Sequence, residues 1–157
     1  MHSNIYQIST MPIDKEDWLS PSYLYDNSQD FADYISDAYD GEERKECINS
    51  LGDLFDGVFT VDGESLIYNG SDKFVEDWCK EIQRRAASIT PQTIFENVNL
   101  YKLKKLTDTT HIDISSRFYI EEWNGCAGAA DDFIGFCRHA LNVGDRLYVG
   151  AVIDYHF

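Results

Sequence analysis

Cys126 is the residue of this sequence whose surroundings best suit a reaction at a side chain. It lies in a loop of small residues, between Gly125 and Gly128, directly before a segment whose pattern predicts a helix. The N-terminus of a helix stabilises a thiolate, the form in which cysteine acts as a nucleophile. Asp131 and Asp132 lie at the same helix start, however, and their charges disfavour the thiolate. The alternative interpretation, a small residue that packs in the interior, is the one the sequence favours.

His111 and Asp113 are the second candidate for chemistry. They are two positions apart in a segment, 111–123, whose alternating pattern predicts one long strand, so both side chains lie on the same strand face. Such a pair can take part in an acid–base or metal site, but alone it is more typical of a surface hydrogen bond. The loops around Gly41 and Gly57 lack the ligand spacing of a calcium-binding loop, and no nucleotide-binding motif is present. The sequence therefore predicts no metal and no cofactor.

Acidic residues are the most unusual feature of the composition. The chain has 28 acidic and 13 basic residues, a formal net charge of −15 at pH 7. Residues 1–64 contain 15 acidic and 3 basic residues, a net charge of −12, whereas residues 65–157 contain 13 and 10, a net charge of −3. Self-repulsion at such a charge density destabilises a compact chain. Solubility alone does not require it, so a charge-matched surface for a basic partner is the favoured hypothesis.

Four aspartates are expected to form the most concentrated part of that surface. A helix is predicted from Gln29 to Tyr39, with Ser28 as its N-cap and Phe31 and Ile35 on its inner face. Spacings of three and four residues place one set of carboxylates along the opposite face, where neighbours are about 5–6 Å apart at Cβ, a density that can imitate nucleic-acid phosphates. The predicted partner-binding residues are Asp30, Asp33, Asp37, Asp40, Glu42 and Glu43. A stripe of this kind is also typical of a merely solubilising surface.

The charge and the remaining composition exclude several classes of function. Direct binding to nucleic acid or to an anionic membrane requires a positive surface, which this chain lacks. No apolar run approaches the roughly 20 residues of a membrane span, and no signal-peptide pattern opens the sequence. The four cysteines are widely spaced without a C-x-x-C pair, which is typical of free thiols in a cytoplasmic protein: Cys47, Cys79, Cys126 and Cys137. The oligomeric state is left open.

The elements that must position these residues are clearest between residues 58 and 89. Asp62-Gly63 separates two short β-rich runs, and Asp-Gly is a strong hairpin signal because glycine reaches positive φ without steric cost. An amphipathic helix follows, with Ser71 as its N-cap and Trp78 on its apolar face. The sequence predicts a hairpin with its tip at Asp62-Gly63 and a substantially buried Trp78.

The remaining elements complete an α+β pattern. Further helices are predicted over residues 42–55 and 129–142, and a last strand runs from residue 146 to the end. The apolar residues of that strand alternate with more polar ones and should share one face: Leu147, Val149, Ala151, Ile153, Tyr155 and Phe157. We predict a single α+β domain over residues 1–157, with a mainly antiparallel sheet of four to six strands and helices packed largely on one face.

The favoured function is that of a non-catalytic acidic interaction protein that binds a basic protein surface. Its sharper form is a nucleic-acid mimic that inhibits a nuclease or a defence system, and its milder form is an immunity protein that neutralises a toxin. One alternative is a small cytosolic enzyme that uses Cys126 or the pair His111 and Asp113. The other is a regulatory or structural domain whose acidity is incidental.

Overall fold

The computed structural model describes residues 2–26, 32–97, 101, 104, 112, 114–123 and 127–156. The principal α-helices in this part of the chain are α1 (Pro21–Asp26), α2 (Gly41–Leu54), α3 (Asp72–Ala87) and α4 (Ala130–Ala140). The β-strands are β1 (His2–Ser9), β2 (Tyr34–Ala38), β3 (Phe59–Asp62), β4 (Ser65–Tyr68), β5 (Arg117–Ile120), β6 (Ala127–Gly128) and β7 (Arg146–His156). Short 3₁₀ helices cover Lys15–Asp17 and Glu121–Trp123.

One sheet of seven strands contains all of these β-strands, in the order β3-β4-β7-β1-β5-β6 with β2 paired to β7. β1 and β5 run parallel, and the other pairs are antiparallel. The predicted α+β class and the mainly antiparallel sheet are therefore confirmed, with seven strands where four to six were expected.

The last strand, β7, is the centre of this sheet. β1 pairs with it along one edge, from His2 opposite His156 to the other end. The opposite edge is shared, because β4 pairs with the first residues of β7 and β2 pairs with its last residues. β1, β2 and β4 thus pair with β7 directly, β3 and β5 join it through one neighbouring strand, and β6 joins it through β5 and β1.

Apolar side chains cover both faces of the sheet. On one face, side chains from α2 and α4 pack against the strands, and the rings of Phe118 and Phe133 stack with their centroids 4.3 Å apart. On the other face, Leu19 and Leu24 from the segment that includes α1 pack over Ile5, Ile153 and Tyr155. Side chains of α2 and α4 therefore belong to the first of these two clusters, and Leu24 of α1 belongs to the second.

The alternation predicted for the last strand is interrupted by a β-bulge. Between Tyr6 and Ile8 of β1 the register shifts, so that Gly150 and Ala151 of β7 both lie opposite Gln7. An extra residue of this kind exchanges the two faces of a strand. The apolar residues accordingly divide between the two clusters, with Leu147, Val149 and Val152 in the first and Ala151, Ile153 and Tyr155 in the second. The prediction of one shared face was therefore wrong, and Phe157 lies outside the described residues.

The predicted hairpin is confirmed. β3 and β4 pair with Asp62 opposite Ser65, and Gly63 in the turn between them has a φ of +65°. Helix α3 follows as predicted, but Trp78 is only partly buried against the core, and α3 has no fully buried side chain. The tryptophan therefore anchors the helix at the margin of the core rather than inside it.

The strand predicted over residues 111–123 is shorter than expected. Its regular part is β5, Arg117–Ile120, after which the chain turns into a 3₁₀ helix at Glu121–Trp123. The helices predicted over 42–55 and 129–142 agree with α2 and α4 to within two residues. In the described part of the chain, no helix has the length and apolar character needed to cross a membrane.

Candidate functional site

The predicted helical stripe of aspartates does not form. Residues 34–38 are strand β2, whose Ile35 lies opposite Tyr155 of β7. Tyrosine and isoleucine favour strands, and pairing with a central strand outweighs the helical spacing of the acids. The stripe prediction for Asp30, Asp33, Asp37 and Asp40 was therefore wrong as a helix face, and Asp30 itself lies outside the described residues.

The other predicted partner-binding residues are exposed but belong to different elements. Asp33 precedes β2, Asp37 lies within it, and Asp40 is the N-cap of α2, where its carboxylate accepts a hydrogen bond from the backbone N–H of Gly41 at 2.9 Å. Glu42 and Glu43 follow in the first turn of α2. The structure thus brings the last three together at one helix N-terminus and separates them from the first two.

A helical row of carboxylates exists on α2 instead. The buried positions of this helix are Arg44, Ile48 and Leu51, at spacings of four and three residues. The exposed side presents four acids, and a fifth lies just beyond the helix end: Glu42, Glu43, Glu46, Asp53 and Asp56. At a rise of 1.5 Å per residue, the row from the first to the fourth is about 16 Å long. We call these five residues the α2 acidic surface.

The basic residues of the acidic N-terminal part pair with only one member of this surface, Glu42. Residues 1–64 contain three of them, and each is in an ion pair: Lys15 with Asp40 at 2.8 Å, Lys45 with Glu42 at 3.2 Å and Arg44 with Glu64 at 2.6 Å. Among the described residues, no cationic group lies within 4.0 Å of the carboxylates of Glu43, Glu46, Asp53 and Asp56. Four of the five charges of the α2 acidic surface are thus without an ion-pair partner in this part of the chain.

Helix α3 shows the opposite arrangement, although it also carries many acids. Its carboxylates have cationic partners: Asp72 with Arg138, Glu76 with Lys80, Asp77 with Lys73, and Glu81 with Arg84 and Arg85. Hydrogen bonds from Arg84 and then Arg85 lower the pKa of Glu81 to about 2. The charge of α3 is thus balanced locally, in contrast to that of the α2 acidic surface.

Arg44 is the residue whose role the sequence analysis missed. Its side chain is only 3% exposed; Nε donates to the carbonyl of Gly150 at 2.9 Å, and Nη2 donates to the carbonyl of Val149. The guanidinium also lies over the Trp18 ring, 4.5 Å from its centroid. Both carbonyls are in the stretch of β7 between the residues paired with β4 and those paired with β2. The available signal was the position of Arg44 on the inward face of α2, four residues before Ile48.

The predicted catalytic residues Cys126, His111 and Asp113 all lie outside the described residues. The described cysteines are free thiols, and burial raises the pKa of both Cys137 and Cys47. A raised pKa disfavours the thiolate, so neither of these two thiols is activated as a nucleophile. In the part of the chain that the structure describes, no group of three or more histidine, cysteine or acidic side chains is arranged to hold a metal ion.

Comparison with known proteins gives no relative from which a function can be carried over. No protein-family model, no curated protein and no solved structure matches this chain.

Proposed function

We propose that this chain is a non-catalytic interaction protein whose α2 acidic surface binds a basic partner protein. The observation that carries the proposal is the absence, among the described residues, of any cation within 4.0 Å of Glu43, Glu46, Asp53 and Asp56. Unpaired charges of one sign attract an oppositely charged surface and accelerate its association. The paired acids of α3 supply little such attraction, because their field is cancelled at short range.

The spacing of the row on α2 supports the sharper form of the proposal, mimicry of nucleic acid. Four carboxylates over about 16 Å are separated on average by about 5.5 Å along the helix, a spacing of the same order as, but wider than, the 3.4 Å per phosphate along one strand of DNA. Lys45 offsets part of this density through its ion pair with Glu42. The partner class is accordingly a nuclease or another protein of a defence system that binds nucleic acid through a basic groove.

A cytoplasmic place of action is part of the same proposal. Cys47, Cys79 and Cys137 are free thiols. Free thiols persist in the reducing cytoplasm, whereas secreted proteins tend to form disulfides. The three thiols support this location, and the charge argument does not depend on it.

The test compares two variants that each remove three negative charges. The first, Glu43→Gln/Glu46→Gln/Asp53→Asn, changes the α2 acidic surface, and the second, Glu76→Gln/Asp77→Asn/Glu81→Gln, changes the paired acids of α3. Proteins captured from the native host by the wild type at about 0.05 M salt are identified, purified and measured by surface plasmon resonance against both variants. We expect the α2 variant to bind about tenfold more slowly and the α3 variant to bind like the wild type.

Competition by duplex DNA then separates the two forms of the proposal. If DNA displaces this chain from its partner, the partner uses one basic groove for both, as mimicry requires. If DNA does not displace this chain, but the α2 variant still binds the partner more weakly than the wild type does, this chain is an immunity protein instead. Equal association rates for the wild type and the α2 variant at low salt would show that the α2 acidic surface is only solubilising.

A further inference from the structure

A cleft of about 310 Å³ lies where the segment containing α1 packs against β1, β5 and the 3₁₀ helix at Glu121–Trp123. Its walls combine two kinds of side chain, aromatic rings and carboxylates. The aromatic residues are Trp18, Tyr23 and Tyr119, and the acidic ones are Glu16, Asp17 and Glu121. Aromatic faces and carboxylates are the two groups that attract an organic cation.

The buried amide of Gln7 fixes the floor of this cleft. Gln7 is only 1% exposed. Its Nε2 donates hydrogen bonds to the carbonyl of Asp17 at 3.0 Å and to Oε1 of Glu121 at 2.5 Å. Its Oε1 accepts from the backbone N–H groups of Leu19 and Ala151, both at 2.9 Å. All four of these bonds are made within the protein. The carboxylate of Glu121 is therefore held in one position before any ligand arrives, which lowers the entropy lost on binding.

The aromatic walls are also ordered by contacts with one another. The rings of Tyr23 and Tyr119 meet edge to face, with centroids 6.0 Å apart and an interplanar angle of 86°. Trp18 already holds two cations of this chain, the Arg44 guanidinium at 4.5 Å and the Lys15 ammonium at 5.2 Å from its centroid. The aromatic surface left for a further cation is therefore that of Tyr23 and Tyr119.

The carboxylates of the cleft have no cation of their own in the described part of the chain. Neither Glu16, Asp17 nor Glu121 forms an ion pair there, and the nearby Lys15 is paired with Asp40 instead. A planar guanidinium suits the cleft better than an ammonium, because it stacks on aromatic rings and binds a carboxylate through two parallel hydrogen bonds. A volume near the lower end of the range for ligand pockets is appropriate to one side chain.

We propose that this cleft binds an arginine side chain. That the arginine belongs to the basic partner rests on the proposed function, whereas the chemistry of the cleft can be tested without any partner. Arginine is enriched at the points of an interface that contribute most to affinity, so one preformed cleft of this kind would add specificity to the charge attraction of α2.

The test uses N-acetyl-arginine amide as the probe and N-acetyl-citrulline amide, which has nearly the same shape without the charge, as the ligand control. Binding is followed by NMR through the side-chain amide of Gln7 and the indole N–H of Trp18. We expect saturable shifts with the arginine probe only. Glu121→Gln, which keeps an acceptor for Gln7, should weaken binding about tenfold. Glu76→Gln on α3 removes the same charge far from the cleft and should leave binding unchanged.

Tyr23→Leu is a second variant in case Glu121→Gln fails to fold, and it should also weaken binding because an aromatic wall is lost. Absence of saturation up to about 50 mM probe, or equal binding by the wild type and both cleft variants, would overturn the proposal. The α2 triple variant separates the two proposals, since it should bind the probe like the wild type while losing the partner. Normal partner binding without any response to the probe would make the cleft assignment alone wrong.

Discussion

The side-chain amide of Gln7 lies directly against Gly150 in the bulge of β7. A β-carbon added at residue 150 would be 2.5 Å from Oε1 and 2.8 Å from Cδ of Gln7. The same Oε1 accepts the backbone N–H of Ala151, so the amide occupies the space that a side chain at residue 150 would need. Gly150 is therefore required by a close approach of another side chain, not by its own backbone angles.

Gly150→Ala should destabilise the protein by about 1–3 kcal/mol, because either the amide or the bulge must move to admit the methyl group. The free energy of unfolding is measured by urea denaturation. Gly135→Ala in α4 is the matched control, since a β-carbon there would meet nothing within 4 Å. That variant should gain about 0.5–1 kcal/mol from the better helix propensity of alanine. Similar effects of the two substitutions would contradict the role assigned to Gln7.

Replacing Arg44 should be among the most destabilising changes in α2. Arg44→Met leaves two buried carbonyls without their donors and removes the guanidinium from Trp18, at an expected cost of about 2–4 kcal/mol. Glu64 is 56% exposed and stays solvated, so little of this cost arises from an unpaired charge. Arg44→Lys should recover only a small part of this free energy, because an ammonium cannot reproduce the geometry of the planar guanidinium.

Lys45→Met, one residue away, is the control for Arg44. Its ion pair with Glu42 is exposed on both sides, 52% and 78%, and should contribute no more than about 0.5 kcal/mol. Urea denaturation of both variants gives the comparison. If the two cost the same free energy, the hydrogen bonds of Arg44 to β7 do not contribute to stability.

Asp40 should make stability depend on pH in a defined direction. The hydrogen bond from Lys15, and then that from the backbone N–H of Gly41, lower the pKa of this carboxyl below its usual value. A carboxyl group whose pKa is lower in the folded than in the unfolded state stabilises the fold at pH values above its unfolded-state pKa. This contribution is lost as the pH falls through the folded-state pKa.

Asp40→Asn keeps an N-cap residue and removes only the charge. The wild type should exceed this variant in free energy of unfolding by a constant amount from pH 7 down to about pH 5, and the difference should shrink below about pH 4. Urea denaturation of both proteins across this range measures it. A difference that stays unchanged down to pH 2 would show that the charge of Asp40 is not its source.

The local elements were predictable because their signals are local. Asp62-Gly63 specifies a turn by its own conformational preference, and α2 and α4 follow from the spacing of apolar residues. β2 was not predictable in this way, since its acids have helical spacing and its strand structure depends on pairing with β7. The exchange of the two strand faces at Gly150 likewise depends on a side chain in β1.

The candidate sites show the same difference between signals that are local in the sequence and contacts that depend on distant segments. Glu42 and Glu43 were among the predicted partner-binding residues, and Glu46 and Asp53 lay in the same predicted helix, yet the stripe was assigned to the neighbouring segment. The cleft had no signal in the sequence, because Gln7 and Glu121 approach one another only through the parallel pairing of β1 with β5.

The pairing of β1 with β7 also determines how the chain can reach its fold. These strands come from opposite ends of the described chain, and His2 lies opposite His156. Closing so long a loop is entropically unfavourable, and chains dominated by distant contacts fold slowly. The hairpin of β3 and β4 and the helices can form within microseconds, on the order of 1–10 μs for a hairpin. These elements form before β7 pairs with its neighbours. A chain in which β7 has not yet paired leaves the apolar side of β4 uncovered and is prone to associate with other incompletely folded chains.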